Sequence, residues 1–354
     1  MQNLLLIRAD VTQKGATGHV MRCLTLAHGW KDRGGIVVFL SYFDCESMKK
    51  RVLKEGFDLV SIDSPWPNQK DLKQTLNVLK SLKACSSNFI WTVLDGYHFN
   101  QNYQKAIAKV THRLMIIDDL NNHSYYHADI LLNQNFNSEH ILYNCDNNTK
   151  LLLGSKYIML RKDFLKHKNF VRKIPKKAIN ILIMSGGADI YNVIPKAIQS
   201  LQLVSEKQLK VKIVIGPMNS KIEYYKKISA NSFVDFQFLY NICNISELLI
   251  WADVAIICAG GTLWECLFMG CPVISFAANK IQHSILQLLH DMDVVFYIGY
   301  VSKVLDQDLI KSIENIIISK DLRSVFSVNS KKIIDGNGVS RIIDEMKMIG
   351  GKTS

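Results

Sequence analysis

The sequence predicts an α/β protein built as two Rossmann-like halves, each around a parallel sheet. Three observations lead there. Short apolar runs alternate with amphipathic helical patterns. The alternation breaks near the middle of the chain and then restarts. Several runs end in glycine-rich or acidic loops, the composition of ligand-facing turns after parallel strands.

In the first half, runs at 4–7, 36–40, 59–62, 89–94, 114–117 and 130–132 read as strands. Helical patterns lie between most of them, clearest at 19–31 and 71–82. The polar stretch after Asn133 departs from that rhythm. A basic cluster (Lys166, Lys168, Arg172, Lys173, Lys176, Lys177) around Pro175 then marks the linker candidate. Strands resume at 179–184, 211–215, 234–238, 254–257 and 273–276, with helices at 245–250 and 281–289. The expected division is a first domain over 1–165, a second over 178–305 and a helical tail over 306–354. Ligands of open α/β sheets sit at the carboxyl ends of the strands, so the two sheets are expected to face one cleft.

At 354 residues the chain can bury two cores. Its formal charge of +12 admits nucleic acid, an acidic membrane surface or an anionic small substrate as partner. The lysines are spread along helices, with no aromatic RNA-binding strand or helix-turn-helix signature, so no nucleic-acid partner is expected. There is no secretory leader pattern and no apolar run long enough to span a bilayer, so no membrane partner is expected either. Eight cysteines lacking Cys-x-x-Cys or Cys/His zinc spacing read as reduced thiols of a cytoplasmic protein without a metal site.

The segment Ile7-Arg8-Ala9-Asp10 followed by Gly18-His19-Val20-Met21-Arg22-Cys23 is the densest in chemistry. A strand runs into a polar loop and then into a helix with His19 in its first turn. Loop amides and a helix N-terminus hold anions, and an imidazole there is suited to accept a proton. His19, Arg22 and Cys23 share a helix face. Asp10 either orients His19, binds a sugar hydroxyl or serves as a turn residue.

Other strand ends carry further candidates. Asp95-Gly96-Tyr97-His98 is either a pair of site residues or a simple Asp-Gly turn. Asp118-Asp119 is a second acidic site or a polar stop signal. Asn133 and Asn135 are sugar contacts or loop formers. Gly186-Gly187-Ala188-Asp189 leads to Asn192, and Gly216-Pro217-Met218-Asn219 follows another strand. Neither is a dinucleotide fingerprint nor a Walker loop, so neither NAD nor ATP is expected. Gly260-Gly261-Thr262-Leu263-Trp264-Glu265 suits a pyrophosphate, with Glu265 placed for ribose hydroxyls. The same Thr262-x-x-Glu265 spacing is also a capping box. Asn279 closes the following strand.

In their order these segments resemble the PseG-type UDP-sugar hydrolases, relatives of the GT-B glycosyltransferases, over roughly residues 3–300. The resemblance implies a GT-B-like fold and release of UDP from UDP-2,4-diacetamido-2,4,6-trideoxy-β-L-altropyranose, on the way to pseudaminic acid. It implies inversion at the anomeric carbon, with no metal and no cofactor. Carried over by motif, His19 activates water, with Gly18 before it. Asp95 and Tyr97 lie near the sugar. Gly187, Asp189 and Asn192 belong to the second-domain loop, and Gly260, Gly261 and Glu265 to the diphosphate and ribose contacts. From the residues themselves, Arg22 is a candidate partner of the diphosphate and Thr262 a candidate beside the glycine pair. Three positions depart from the family pattern. Gly15-Ala16-Thr17-Gly18-His19 stands where Gly-x-Gly-His is usual, Val11-Thr12 replaces tandem serines, and Asn279 and Gln282 are separated rather than adjacent. A GT-B glycosyltransferase with a UDP-HexNAc donor and a non-catalytic sugar-nucleotide-binding protein are the alternatives.

Overall fold

The structure, a computed structural model, describes residues 3–12, 17–85, 89–206, 208–240, 242 and 244–351. Gly15 and Ala16 of the glycine-histidine loop lie outside the described residues. The chain divides into two compact units, Met1–Met159 with Asn337–Ser354, and Leu160–Gly336.

The first unit is a seven-stranded, all-parallel sheet. Its strands are β1 (Leu4–Ala9), β2 (Ile36–Ser41), β3 (Asp58–Ser61), β4 (Ile90–Asp95), β5 (Arg113–Ile117), β6 (Ile130–Asn133) and β7 (Lys150–Leu153), in spatial order β3-β2-β1-β4-β5-β6-β7. Helices α1 (Gly18–Asp32), α2 (Glu46–Lys54), α3 (Gln69–Cys85) and α4 (Gln101–Ala108) form the crossovers. Every residue of β1 and β4 is buried, as expected of central strands covered on both faces.

The second unit holds α5 (Lys162–Leu165), β8 (Asn180–Met184), α6 (Val193–Leu203), β9 (Lys210–Ile215), α7 (Ile222–Ser229), β10 (Asp235–Tyr240), α8 (Ile245–Trp251), β11 (Val254–Cys258), α9 (Gly261–Phe268), β12 (Val273–Ala277), α10 (Lys280–Asp291), β13 (Phe296–Tyr300), α11 (Asp306–Ile318) and α12 (Lys320–Ser330). Its parallel strands run β10-β9-β8-β11-β12-β13. Ile181, Ile183, Ile213, Ile256 and Phe276 of the sheet pack with Val193, Ile198, Ile313 and Phe326 of the helices into its core. In both sheets the strand order reverses once, between β1 and β4 and between β8 and β11. Such reversal points open a crevice at the carboxyl ends of the strands, the usual ligand position in this architecture.

Two features depart from the sequence expectation. Residues 306–350 do not form one tail. Helices α11 and α12 complete the second unit, while α13 (Gly338–Gly350) packs on α1 of the first, where Arg33 pairs with Asp344 and donates to Ser340 Oγ at 2.7 Å. The basic stretch 166–177 is not a solvated linker throughout. Arg172 donates to the carbonyls of Ala252 and Leu249, both at 2.5 Å, which ties the segment to the second unit.

Candidate active site

At the reversal point of the first sheet, β4 ends on Asp95, a carboxylate with no exposed surface. His19 enters from the first turn of α1, and its Nδ1 donates to Asp95 Oδ1 at 2.6 Å. A carboxylate only accepts, so this contact fixes the ring proton on Nδ1 and leaves the Nε2 lone pair as acceptor. Arg22, one turn further along α1, grips the same carboxylate. Its Nε donates to Asp95 Oδ2 at 2.6 Å and its Nη2 to Oδ1 at 2.7 Å. Arg22 Nη2 is also 3.2 Å from His19 Nδ1, but two donors cannot bond each other, so its partner is Asp95. Burial pushes the Asp95 carboxyl up, yet Arg22 and then His19 outweigh it and hold the group well below the usual carboxylate range.

A second carboxylate completes this cluster. Asp119, past the end of β5, accepts from Arg22 Nη1 at 2.5 Å and from the Tyr97 hydroxyl at 3.1 Å. The Tyr97 ring meets His19 edge to face, with centroids 4.8 Å apart. Burial and then Asp119 push the Tyr97 phenol up, so it stays a donor. Burial and then Asp95 push the Cys23 thiol up, which leaves it an inert packing group. His19, Arg22, Cys23, Asp95 and Tyr97 are therefore brought together. Asp95, however, is consumed by protein partners and positions His19; it is not an open sugar ligand.

The partner of His19 is thus Asp95 and not Asp10. Asp10 pairs with buried Arg8, accepts from the Tyr42 amide at 2.7 Å and accepts from His98 Nε2 at 3.0 Å. Burial opposes its ionisation, but the His98 hydrogen bond and Arg8 outweigh it and keep the carboxyl low. Asp118 serves the turn alternative. It accepts from the amides of Leu120 and Asn121 at 2.5 and 2.8 Å and from the Tyr126 hydroxyl. Asn133 is buried, donating to the Tyr143 hydroxyl at 2.8 Å and accepting from the Asn135 amide at 3.0 Å, as a loop former does.

In the second unit, the loops after β8 and β9 lock together. Gly186 has a left-handed φ of 64°, and the Met218 amide donates to Gly187 O at 3.0 Å. A Cβ on Gly216 would lie 2.4 Å from the carbonyl oxygens of both Gly186 and Gly187, so this close approach demands glycine. Asp189 is buried and caps α6, accepting from Val193 and Ile194 amides at 2.8 and 3.2 Å and from the Tyr225 hydroxyl at 3.1 Å. Burial pushes its carboxyl up against those bonds. Asn219 donates to the same Tyr225 hydroxyl at 3.0 Å. Asn192 is exposed and accepts from Lys221 Nζ at 2.7 Å.

The loop after β11 differs. Gly260 is the N-cap of α9, with φ 172°, and Gly261 is the first helical residue. Both are exposed, and a Cβ on either would meet nothing within 4 Å. Neither packing nor backbone strain demands glycine here. The capping-box alternative fails, because Gly260 caps the helix, Thr262 already lies inside it, and no side chain closes the cap. Glu265 lies in the second turn and accepts from Arg161 Nε at 2.9 Å. Asn279 caps α10, accepting from the Gln282 amide at 2.9 Å. The Gln282 side chain accepts from the Ala278 amide and donates to Ala259 O, both at 2.7 Å, which pins the glycine loop to the end of β12.

Of the two acids at the end of β5, only the fold separates Asp119, which joins the cluster, from Asp118, which does not. One residue of these constellations carries no sequence signal. Arg161 stands 104 positions before Glu265, and no local pattern links them.

Two parallel α/β units, each with one reversal in its strand order, give the chain a GT-B-like fold. The chain belongs to the lipid-A-disaccharide synthetase family, whose model matches residues 46–320. A curated relative, an uncharacterized protein of Methanocaldococcus jannaschii, is 27% identical over 289 residues, which is 78% of this chain and 56% of that protein. The chain thus spans little more than half the length of that relative. The spore coat polysaccharide biosynthesis protein SpsG of Bacillus subtilis is 21% identical, with 95% of each chain covered. Among solved structures, MurG of Acinetobacter baumannii aligns with a TM-score of 0.67 at 14% identity, covering 98% of this chain and 100% of that one, a likeness of fold. Among the described residues, no helix is long and apolar enough to cross a membrane.

Proposed function

We propose that the protein is a UDP-sugar hydrolase that converts UDP-2,4-diacetamido-2,4,6-trideoxy-β-L-altropyranose to UDP and the free sugar, a step towards pseudaminic acid. The observation that carries this reading is the 2.6 Å contact between His19 Nδ1 and buried Asp95. It gives an imidazole with a fixed tautomer and an acceptor nitrogen, the requirement for a general base acting on water.

In this reaction water oxygen bonds to the anomeric carbon as the bond from that carbon to the diphosphate oxygen breaks. The water proton passes to His19 Nε2, and the electron pair leaves with UDP. The products balance without a cofactor, and attack opposite the leaving group inverts the anomeric centre. UDP is a good leaving group, so the remaining demand is for positioning and for donors on the diphosphate. Gly18, Gly260, Gly261 and Thr262 offer backbone amides at helix starts, where anions are favoured. Bare glycines with open space around them suit close approach of a diphosphate. Glu265, held by Arg161, is assigned to the ribose hydroxyls. Tyr97 is assigned to the sugar and Asn133 to the loop after β6 in the first unit, while Asp189, Asn192 and Asn279 shape loops of the second unit. The described cysteines are unpaired, which suits a cytoplasmic location.

Membership of the lipid-A-disaccharide synthetase family favours a second reading, glycosyl transfer from a UDP-sugar to an acceptor. One assay separates the two. The purified chain is incubated with the altrose-series UDP-sugar in buffer alone, and UDP release is followed beside His19→Ala. Hydrolysis predicts multiple turnovers with water as sole acceptor and near-complete loss in the variant. Negligible turnover until a sugar acceptor is added would establish transfer instead.

A further inference from the structure

The first unit carries a second imidazole–carboxylate pair that the reaction above does not use. His98 Nε2 donates to Asp10 Oδ2 at 3.0 Å. The two pairs are crossed. His19, on the helix after β1, reaches Asp95 at the end of β4; His98, in the loop after β4, reaches back to Asp10 just past the end of β1. Ala9 pairs in register with Asp95, so Asp10 lies one residue beyond that pair, at the same carboxyl end of the sheet where its order reverses. Tyr97, the neighbour of His98 in sequence, already lies against the His19 ring.

Asp10 does not need His98 as its anchor. It is held by Arg8 and by the Tyr42 amide. Arg8 is fixed in turn by Asp71, which accepts from the Tyr103 hydroxyl and the Trp66 amide, both at 2.7 Å. This chain of buried polar groups ends at His98, whose side chain is 33% exposed. Gly96 makes room for the ring, since a Cβ there would lie 2.6 Å from His98 Cε1. Because Asp10 only accepts, Nε2 carries the ring proton and Nδ1 keeps its lone pair.

We propose that His98 is a specificity-determining residue that accepts, at Nδ1, a hydrogen bond from an O–H or amide N–H of the substrate's sugar. Asp10 is then the positioning residue behind it. The proposal rests on the reading of the protein as a UDP-sugar enzyme.

The test compares wild type, His98→Gln and His98→Ala. Glutamine keeps an N–H within reach of Asp10 but lacks the ring acceptor; alanine removes both. Three quantities are measured: UDP release from the altrose-series UDP-sugar, calorimetric affinity for that UDP-sugar and for UDP alone, and Tm. His98→Gln is expected to keep the Tm and the UDP affinity of wild type. Its kcat/KM and its affinity for the UDP-sugar are expected to fall roughly tenfold, the scale of one lost hydrogen bond. His98→Ala should show the same functional loss with a lower Tm. Full recovery of kcat/KM and UDP-sugar affinity in His98→Gln would reduce His98 to a partner of Asp10 and overturn the proposal. A wild type that releases no UDP overturns the hydrolase reading instead. The His98 proposal then stands or falls on whether His98→Gln loses UDP-sugar affinity while retaining UDP affinity.

Discussion

His19 Nδ1 lies 2.6 Å from Oδ1 of Asp95, a carboxylate with no exposed surface at the end of a central strand. Tautomer control follows from that single contact. Asp95→Asn puts an NH2 donor in place of one of two oxygens that both accept from Arg22, one of which, Oδ1, also accepts from His19. The variant loses an acceptor and the negative charge behind the ring, which together hold the Nδ1 tautomer and favour the imidazolium formed when His19 takes the water proton. The expected result is a fall in kcat of about 10²–10⁴ with a much smaller change in KM, the span over which general-base catalysis acts. Steady-state UDP release measures it. A variant within a few fold of wild-type kcat would remove His19 from the role of base.

Arg22 is shared between two carboxylates, Asp95 and Asp119. With His19 neutral, the cluster carries two negative charges and one positive, and proton uptake by His19 balances it. Burial opposes the Arg22 charge, but Asp119 and then Asp95 hold its ionisation far above the ordinary range. Asp119→Asn removes one negative charge and loosens Arg22 and Tyr97 together. We expect kcat to drop about tenfold with KM within a few fold, since a charge-assisted hydrogen bond contributes about 1.5–3 kcal/mol. An unchanged kcat in a folded variant would make Asp119 a purely structural acid.

Much of this architecture was legible in the sequence. Apolar runs marked the central strands because parallel strands covered on both faces need no polar alternation. The two strands that left no clear mark, β7 and β13, are edge strands, with the polar-flanked Lys150–Leu153 and the glycine-containing Phe296–Tyr300. Candidate residues are legible where they sit in a local motif, as at Gly18-His19 and Gly260-Gly261. Their pairing across the sheet is not legible. Nothing near residue 10 or residue 95 tells which carboxylate meets His19; register and crossover decide it. The Thr262-x-x-Glu265 spacing was equally ambiguous, and the helix resolved it by starting one residue before Thr262.

The Asp95 pairing also has a signature in stability. Its carboxyl is held below the ordinary range by Arg22 and His19, against the opposing effect of burial. A depressed pKa contributes stability that is present above the unfolded value, about 3.9, and is lost as pH falls through the folded one. Removing one partner of the cluster by Asp95→Asn should cost about 1–3 kcal/mol near neutral pH, because Arg22 retains Asp119. The difference between wild type and variant should hold down to about pH 5 and shrink below about pH 4. Urea denaturation at several pH values measures it, and a difference that grows on acidification would contradict the assignment.

The glycines of the second unit divide into two kinds, and their alanine variants should separate folding from ligand binding. A Cβ on Gly216 would lie 2.4 Å from the Gly186 and Gly187 carbonyl oxygens, and backbone cannot give way cheaply. Gly216→Ala should therefore lower stability by about 1–3 kcal/mol, the range of overpacking a filled site. A Cβ on Gly261 would meet nothing within 4 Å, and the residue is helical with an ordinary backbone. Gly261→Ala should be neutral or stabilising by up to about 1 kcal/mol, because alanine is the better helix former. If Gly261 is bare to let a diphosphate approach, the same variant should lose UDP affinity by tenfold or more, about 1.4 kcal/mol. Thermal melts report the first quantity and calorimetry with UDP the second. Undiminished UDP binding in Gly261→Ala would mean that the diphosphate does not rest on the start of α9, and the assignment of Gly260 and Gly261 would fall with it.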